Sequence, residues 1–220
     1  MIHDTSMQSP PRHHLAWLSP DAPVQLTESA WTPVVRSWLQ LRRPLVVRRR
    51  LAGEPEDDLA LGLPLPNRLG RHRLALRVPP YALLCLEPPP SLEQAAEVLP
   101  QQTRRIVRAV AARIEACGGR ALVYGSVAWQ WLTREAYLRP GSDVDVLIVP
   151  GFRWEPGRGH ALLRDMAVVR EPRLDGELAL GEGGFVAWRE LLGDADDVLV
   201  KTATGVSLRQ RAALSVGTVA

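Results

Sequence analysis

The stretch YGSVAWQ at residues 124–130, followed by GSDVDVLIV at residues 141–149, decides the fold of this chain. The first segment reads as the end of a buried strand, a Gly-Ser turn and the start of a helix. The second reads as a turn that leads into an interior strand, with Asp143 and Asp145 at its start. Because side chains two residues apart on a strand share one face, these two carboxylates are expected to lie together.

The residues around these carboxylates predict metal-assisted chemistry on a phosphate chain. Two neighbouring carboxylates repel each other, and a divalent cation between them relieves the repulsion. Gly125 and Ser126 offer backbone N–H groups, a hydroxyl and a helix N-terminus, which suit a bound phosphate. We therefore expect a nucleotide-like triphosphate as ligand. The alternative is a solvated strand start in which the Gly-Ser-Asp sequence makes an ordinary turn.

A third carboxylate is expected from LDGEL at residues 174–178. Metal-dependent transfer of this kind uses a further carboxylate as a base or as a second metal ligand. Asp175 and Glu177 share a face by the same strand alternation, and we favour Asp175 while leaving Glu177 open. The alternative here is a turn built on Asp-Gly.

Two basic residues are candidate phosphate ligands. Lys201, the only lysine among 27 basic residues, follows a predicted strand, where it would meet a phosphate or simply carry edge-strand charge. Arg134 lies between the two motif halves, where it would clamp a phosphate or lie on a solvated loop.

The composition limits the class of protein. Of 220 residues, 46% are hydrophobic, which indicates a globular chain of one or two domains. We expect no membrane association and a cytoplasmic location, because the chain lacks a long apolar run and the N-terminus lacks signal-peptide order. Cys85 and Cys117 are expected to be buried thiols. A net charge of +3 is too small to argue for nucleic-acid binding.

The hydrophobic pattern predicts an α+β protein in two parts. We expect a small α+β domain over residues 1–88 and a second domain with a mixed sheet and flanking helices over residues 89–220. Predicted helices cover residues 29–41, 101–117, 127–132, 159–169 and 208–214, with a short one after Ser91. Predicted strands cover residues 44–48, 59–63, 73–78, 121–124, 144–149, 173–180 and 198–200, and residues 185–192 are left open between strand and helix.

The Gly-Ser … Asp-x-Asp pattern resembles the nucleotidyltransferase superfamily. More closely, the chain resembles the holo-acyl-carrier-protein synthases of malonate decarboxylase, also called phosphoribosyl-dephospho-CoA transferases. The resemblance spans most of the chain, and its specific motifs lie in the second half. It rests on GSVAWQ at 125–130, LT at 132–133, YL at 137–138, SDVD at 142–145, RLDGE at 173–177, VAWREL at 186–191 and VLVKT at 198–202, and begins at RHHLAWL, residues 12–18.

This resemblance implies a reaction, a cofactor and a partner. The family transfers phosphoribosyl-dephospho-CoA from 2'-(5''-triphosphoribosyl)-3'-dephospho-CoA to a serine of the apo acyl-carrier subunit, with Mg²⁺, and releases pyrophosphate. It implies that residues 89–220 form a nucleotidyltransferase-like catalytic domain. Asp143, Asp145 and Asp175 would act as metal ligands and catalytic groups. Gly125 and Ser126 would hold the pyrophosphate end of the substrate, with Lys201 as a counter-charge. Arg134 joins them as a substrate-binding candidate from its place between the motifs, and docking of the carrier is expected of residues 1–88 from their position alone.

Two other functions are compatible with the same residues. One is a nucleotidyltransferase with an antibiotic, protein or RNA substrate. The other is a non-catalytic binding module in which the carboxylates are remnants, although the presence of both Asp143 and Asp145 argues against it.

Overall fold

The computed structural model describes residues 10–214, apart from the side chain of Glu182. It shows an α+β protein with two six-stranded sheets, which confirms the predicted fold class. The helices are α1 (Thr32–Gln40), α2 (Leu92–Ala95), α3 (Gln101–Ala116), α4 (Gly125–Thr133) and α5 (Pro156–Ala167). The strands are β1 (Leu15–Leu18), β2 (Gln25–Leu26), β3 (Leu45–Val47), β4 (Leu59–Pro64), β5 (Arg73–Val78), β6 (Leu83–Glu87), β7 (Gly119–Tyr124), β8 (Val144–Pro150), β9 (Leu174–Ala179), β10 (Phe185–Ala187), β11 (Asp197–Lys201) and β12 (Val206–Gln210).

The chain divides into two compact units. The first contains residues 10–63, Arg73–Glu87 and Ala203–Gly205, and the second contains Pro64–His72, Pro88–Thr202 and residues 206–214. Each unit therefore takes a short segment from the other side of residue 88. The division of the chain into domains 1–88 and 89–220, with a role for each, stays a prediction.

The first unit is built on a sheet with strand order β2-β5-β4-β3-β1-β6, in which β1 and β2 pair with strands far along the chain. β1 pairs antiparallel with both β3 and β6. The helix predicted at residues 29–41 is confirmed as α1, which begins at Thr32 after a 3-10 turn at Ser29–Trp31 and buries Val35, Trp38 and Leu39. The indole Nε1 of Trp38 donates to the carbonyl of Pro44 at 2.9 Å, so the end of this helix is joined to the chain that enters β3.

The second unit has the strand order β12-β11-β10-β9-β8-β7. Its strands are antiparallel except for the β8–β9 pair, which is parallel and is connected through α5. One sheet face and the helices form the main core, which contains Val107, Ile114, Val146 and Trp188. The opposite face carries a small apolar cluster of Leu122, Leu147, Val149, Ala179 and Phe185.

Two predictions from the sequence are wrong, and one strand was not predicted. Residues 208–214 are not a helix, because Leu208 pairs with Leu199 in the edge strand β12 and a single 3-10 turn follows. The alternation of Val206 and Leu208 with polar residues is the strand pattern that was missed. Strand β6, which lies between two proline clusters, was not predicted. The cysteines are not the buried thiols expected: Cys85 lies on that strand and is exposed, and Cys117 is only half-buried.

No helix between residues 10 and 214 has the length and the apolar character needed to cross a bilayer.

Candidate active site

The Gly-Ser turn joins β7 directly to α4. Gly125 is the first residue of the helix and has φ = +66°, a conformation that favours glycine. A Cβ on Gly125 would lie 2.9 Å from Cγ of Asp145 and closer still to its Oδ2. The Asp145 carboxylate therefore lies against the backbone at the N-terminus of α4, with Ser126 as the second helical residue.

Strand register brings the predicted carboxylates to one end of the second sheet. Asp145 is paired with Tyr124 on one side and with Asp175 on the other. Leu147 and Ala179 follow on the same face in the small apolar cluster, while Val146 lies on the opposite face in the main core. Strand pairing and alternation thus place Asp145 and Asp175 as neighbours on one face. Asp143 lies directly before β8, so the predicted sharing of a strand face by Asp143 and Asp145 stays a prediction.

Arg173 bridges two of these carboxylates. Its NH1 donates to Oδ2 of Asp143 at 2.7 Å, and its NH2 donates to Oδ2 of Asp175 at 3.1 Å. The two carboxylate side chains are about one-third exposed and the arginine side chain is 55% exposed. A cation therefore already lies between acidic groups that would otherwise repel.

Two further contacts orient Asp175. Its Oδ1 accepts from the backbone N–H of Gly176 at 2.9 Å. The guanidinium of Arg189 lies 3.9 Å from the same oxygen and donates to the carbonyl of Leu174 at 2.6 Å through NH2. The guanidinium of Arg189 also lies over the buried ring of Trp188, 4.6 Å from its centroid. The Asp-Gly pair is part of strand β9, so the alternative of an Asp-Gly turn is wrong.

Glu177, the other candidate for the third carboxylate, has a different partner. It is buried at 4% exposure, and its Oε1 accepts from Nζ of Lys201 at 2.9 Å. Lys201 stands on β11, two strands away from β9, with β10 between them. This pair lies on the same sheet face as Asp175, by alternation along β9. The structure therefore favours Asp175 over Glu177 as the accessible carboxylate, and the phosphate-binding role of Lys201 stays a prediction.

Arg134 lies at the opposite end of α4 from the carboxylates. It is the C-cap residue of this nine-residue helix, which is about 13 Å long. Its NH1 donates to Oε1 of Glu97 at 2.8 Å, and this hydrogen bond lowers the pKa of the Glu97 carboxyl. The structure does not bring Arg134 together with Asp143, Asp145 and Asp175, so its substrate-binding role stays a prediction.

The donor set suits Mg²⁺ in its chemistry, because Mg²⁺ prefers hard oxygen ligands such as aspartate carboxylates. As arranged in residues 10–214, however, no three His, Cys, Asp or Glu side chains form a group that could hold a metal ion. Arg173 occupies the position between Asp143 and Asp175. The residues therefore fit a divalent cation in chemical type, Asp145 and Asp175 share a face, and the Arg173 guanidinium lies between Asp143 and Asp175.

Arg173 and Arg189 are the site residues that reasoning from the sequence did not single out. A signal was present for Arg173, because it precedes Asp175 by two residues and alternation places both on one face. For Arg189 there was no such signal, since its contact with Leu174 depends on the antiparallel pairing of β9 with β10.

Comparison with known proteins gives matches over nearly the whole described chain. The model of the phosphoribosyl-dephospho-CoA transferase MdcG N-terminal domain matches residues 11–89, and that of the phosphoribosyl-dephospho-CoA transferase MdcG C-terminal domain matches residues 91–212. No solved structure matches at a significant level.

Several curated proteins with the name phosphoribosyl-dephospho-CoA transferase are similar to the chain along most of their length. The protein of Xanthomonas campestris pv. campestris strain 8004 is 36% identical, over 92% of this chain and 95% of its own. The protein of Bradyrhizobium diazoefficiens is 35% identical, with coverage of 92% and 91%. The protein of Pseudomonas putida strain W619 is 28% identical, with coverage of 92% and 94%. Both halves of the chain and its overall length agree with these relatives, and the chain belongs to the phosphoribosyl-dephospho-CoA transferase family of transferase enzymes.

Proposed function

We propose that this enzyme transfers phosphoribosyl-dephospho-CoA from 2'-(5''-triphosphoribosyl)-3'-dephospho-CoA to a serine of the apo acyl-carrier subunit of malonate decarboxylase. In this proposal pyrophosphate is the leaving group and Mg²⁺ is the cofactor. The enzyme acts in the cytoplasm. The family membership supports a dephospho-CoA-derived substrate and a protein acceptor. The observation that carries the proposal is the pairing of Asp145 with Asp175 beside the Gly125 turn.

In this proposal the carboxylates divide the chemical work. Asp143 and Asp145 would hold Mg²⁺, which would neutralise charge on the phosphate oxygens of the leaving group. Asp175 accepts the proton of the attacking serine hydroxyl or adds a further ligand. Gly125 and Ser126 bind the terminal phosphates through the N-terminus of α4, where backbone N–H groups and the helix dipole favour negative charge.

The bonds balance as a single displacement at phosphorus. The serine oxygen forms a new bond to the phosphate next to the ribose, and the bond from that phosphorus to the pyrophosphate oxygen breaks. The serine proton passes to a carboxylate or to water, and the carrier retains a phosphodiester. Because the product is a protein of increased mass, the transfer is directly measurable.

The test combines the full-length enzyme with purified apo-carrier, the triphosphoribosyl precursor and Mg²⁺. We expect pyrophosphate release together with a carrier mass increase equal to phosphoribosyl-dephospho-CoA. Asp143→Asn and Asp145→Asn should each abolish both signals while circular dichroism stays unchanged, and the exposed Asp21→Asn serves as the control. A carrier of unchanged mass, or near-normal turnover by either site variant at saturating Mg²⁺, contradicts the proposal.

We assign docking of the carrier to residues 1–88. The carboxylates, the Gly-Ser turn and Lys201 all belong to the second unit, which leaves the first unit without an assigned chemical role. Hydrogen exchange of the full chain with and without apo-carrier tests this assignment. Protection confined to residues 89–220 contradicts it.

A further inference from the structure

In the part of the chain that the structure describes, the Arg173 side chain donates hydrogen bonds only to carboxylates of the candidate site. Within residues 10–214 its guanidinium donates to Asp143 and to Asp175, one nitrogen to each. Asp143 precedes β8 and Asp175 lies on β9, so the arginine links these two neighbouring strands at their N-terminal ends. It does this from a position that is more than half exposed to solvent.

Arg189 provides an internal comparison. It also approaches Asp175, but it donates twice to the Leu174 carbonyl and lies over the Trp188 ring, and its side chain is 32% exposed. Leaving that position would break backbone hydrogen bonds and a cation–π contact. The Arg173 guanidinium has no such anchors among residues 10–214, and swinging it into solvent costs two exposed ion pairs, which are individually weak.

The same carboxylates cannot serve a guanidinium and a divalent cation at once in the same geometry. Asp143 Oδ2 and Asp175 Oδ2 are the oxygens that the guanidinium occupies. A divalent cation carries twice the charge of the guanidinium and binds the oxygens at a shorter distance, so it competes for them directly. Without either cation, Asp143 loses the ion pair with Arg173, and Asp175 keeps only the more distant Arg189 guanidinium at 3.9 Å.

We propose that Arg173 is a positioning residue that serves as the internal counter-ion of this site. It holds Asp143 and Asp175 in place in the metal-free protein, and it is displaced when a divalent cation binds. The inference rests on the proposed function for the assignment of these carboxylates to a cation. Arg173 thereby lowers the affinity of the free enzyme for metal and keeps the carboxylates preorganised until metal arrives.

The test measures metal binding by the full-length protein with Mn²⁺ as the probe, by electron paramagnetic resonance, without substrate. Arg173→Ala should bind Mn²⁺ about tenfold more tightly than the parent protein, because one competing charge at the carboxylates is lost. Arg173→Lys retains the charge and should stay within about twofold of the parent. Arg170→Ala removes an exposed arginine three residues away and should leave the affinity unchanged.

A second measurement guards against a misfolded variant. In EDTA, Arg173→Ala should melt at a lower temperature than the parent protein, and saturating Mg²⁺ should raise its melting temperature more than it raises that of the parent. Equal or weaker Mn²⁺ binding by Arg173→Ala, together with an equal Mg²⁺ response, overturns the inference.

Failure of this inference can be distinguished from failure of the proposed function. If the parent protein transfers the prosthetic group to the carrier but removal of Arg173 does not tighten Mn²⁺ binding, this inference alone is wrong. If the parent protein neither modifies the carrier nor binds Mn²⁺, the proposed function and its cation site are wrong, and this inference with them.

Discussion

At the scale of single residues, the candidate site depends on close approaches that tolerate little change. Gly125 combines a positive φ with a carboxylate directly over its Cα. Two guanidinium groups lie near the Asp175 carboxylate, that of Arg173 at 3.1 Å and that of Arg189 at 3.9 Å. The chemistry expected here therefore depends on backbone shape as much as on the acidic side chains.

Replacing Gly125 with alanine tests this dependence. The new methyl group would displace the Asp145 carboxylate, and an ångström-scale displacement of a catalytic group is enough to cost about 100-fold in turnover. The positive φ adds a stability loss of about 1 kcal/mol. Carrier modification kinetics and urea unfolding measure the two effects. Gly157→Ala, at a position with open space, is the control; equal turnover by both variants contradicts the role of Gly125.

Glu54 gives a pH dependence in the first unit. Its carboxylate accepts from Arg48 at 2.8 Å and 2.5 Å and from the backbone of Leu51 at 2.8 Å. The Arg48 hydrogen bonds lower the pKa of Glu54 from 4.5 to about 2. Because this pKa is lower in the folded state, the stabilisation is complete above about pH 4.5 and is lost as the pH falls towards 2.

Glu54→Gln should therefore lower the free energy of unfolding at pH 7 by about 1–2 kcal/mol, a value reduced for solvent screening. The difference from the parent protein should shrink as the pH falls from about 4.5 to about 2. Urea titrations at several pH values measure it, with the exposed Glu56→Gln as the matched control. A pH-independent difference between Glu54→Gln and the parent rules out the ion pair as its cause.

At the scale of elements, the parallel β8–β9 pair positions the site. Gly176 lies opposite Val146 with φ = +134°. A Cβ there would lie 2.7 Å from backbone atoms of Val146 and closer still to its carbonyl oxygen. The glycine between Asp175 and Glu177 therefore allows the two strands to approach closely enough to pair.

Gly176→Ala should separate these strands, because the clash is with backbone that cannot rotate away. We expect a loss of at least about 3 kcal/mol in the free energy of unfolding, as for other backbone clashes and strained positions. Gly157→Ala, in the first turn of α5 with nothing nearby, should be neutral or slightly stabilising. Chemical unfolding of the two variants side by side decides the matter, and equal stabilities would remove the argument for a required glycine.

The Glu177–Lys201 pair links β9 to β11 across β10. Because Glu177 is nearly fully buried, Lys201→Met would remove the ammonium group that compensates the negative charge of the Glu177 carboxylate. We expect a loss of about 2 kcal/mol in the free energy of unfolding, less than for a fully buried pair because Lys201 is 30% exposed. The double variant Glu177→Gln, Lys201→Met should recover most of the loss. A double variant that is no more stable than Lys201→Met would show that the pair is not the cause.

At the scale of the whole molecule, chain segments cross between the two units. Pro64–His72 belongs to the second unit, where Tyr137 donates to the Pro64 carbonyl at 3.0 Å and Asn67 donates to the Leu138 carbonyl at 3.3 Å. Arg68 also pairs with Glu135 at 2.9 Å. A cut at residue 88 therefore removes a segment that packs against the C-terminal half of the chain.

A fragment of residues 89–220 should be less stable than a fragment of residues 64–220. The shorter fragment exposes the buried side chain of Tyr137 and leaves two side-chain hydrogen bonds without their acceptors or donors, at a cost of about 2–4 kcal/mol. Thermal unfolding of the two fragments, with the full chain as reference, measures this difference. If both fragments melt at the same temperature, Pro64–His72 does not stabilise the second unit.

The sequence by itself determined the α+β class and most of the elements, and it predicted the carboxylate set. It did so because alternation and helical spacing are local, so Asp145 and Asp175 could be placed on strands, and Asp143 directly before one, before any pairing was known. Tertiary structure decided where the basic residues lie. Arg173 lies between Asp143 and Asp175, Lys201 pairs with Glu177, and Arg134 lies at the far end of α4. The contacts of Arg173 with Asp143 and of Lys201 with Glu177 depend on strand order and register, which join residues distant in the chain and leave no periodic signal in its sequence.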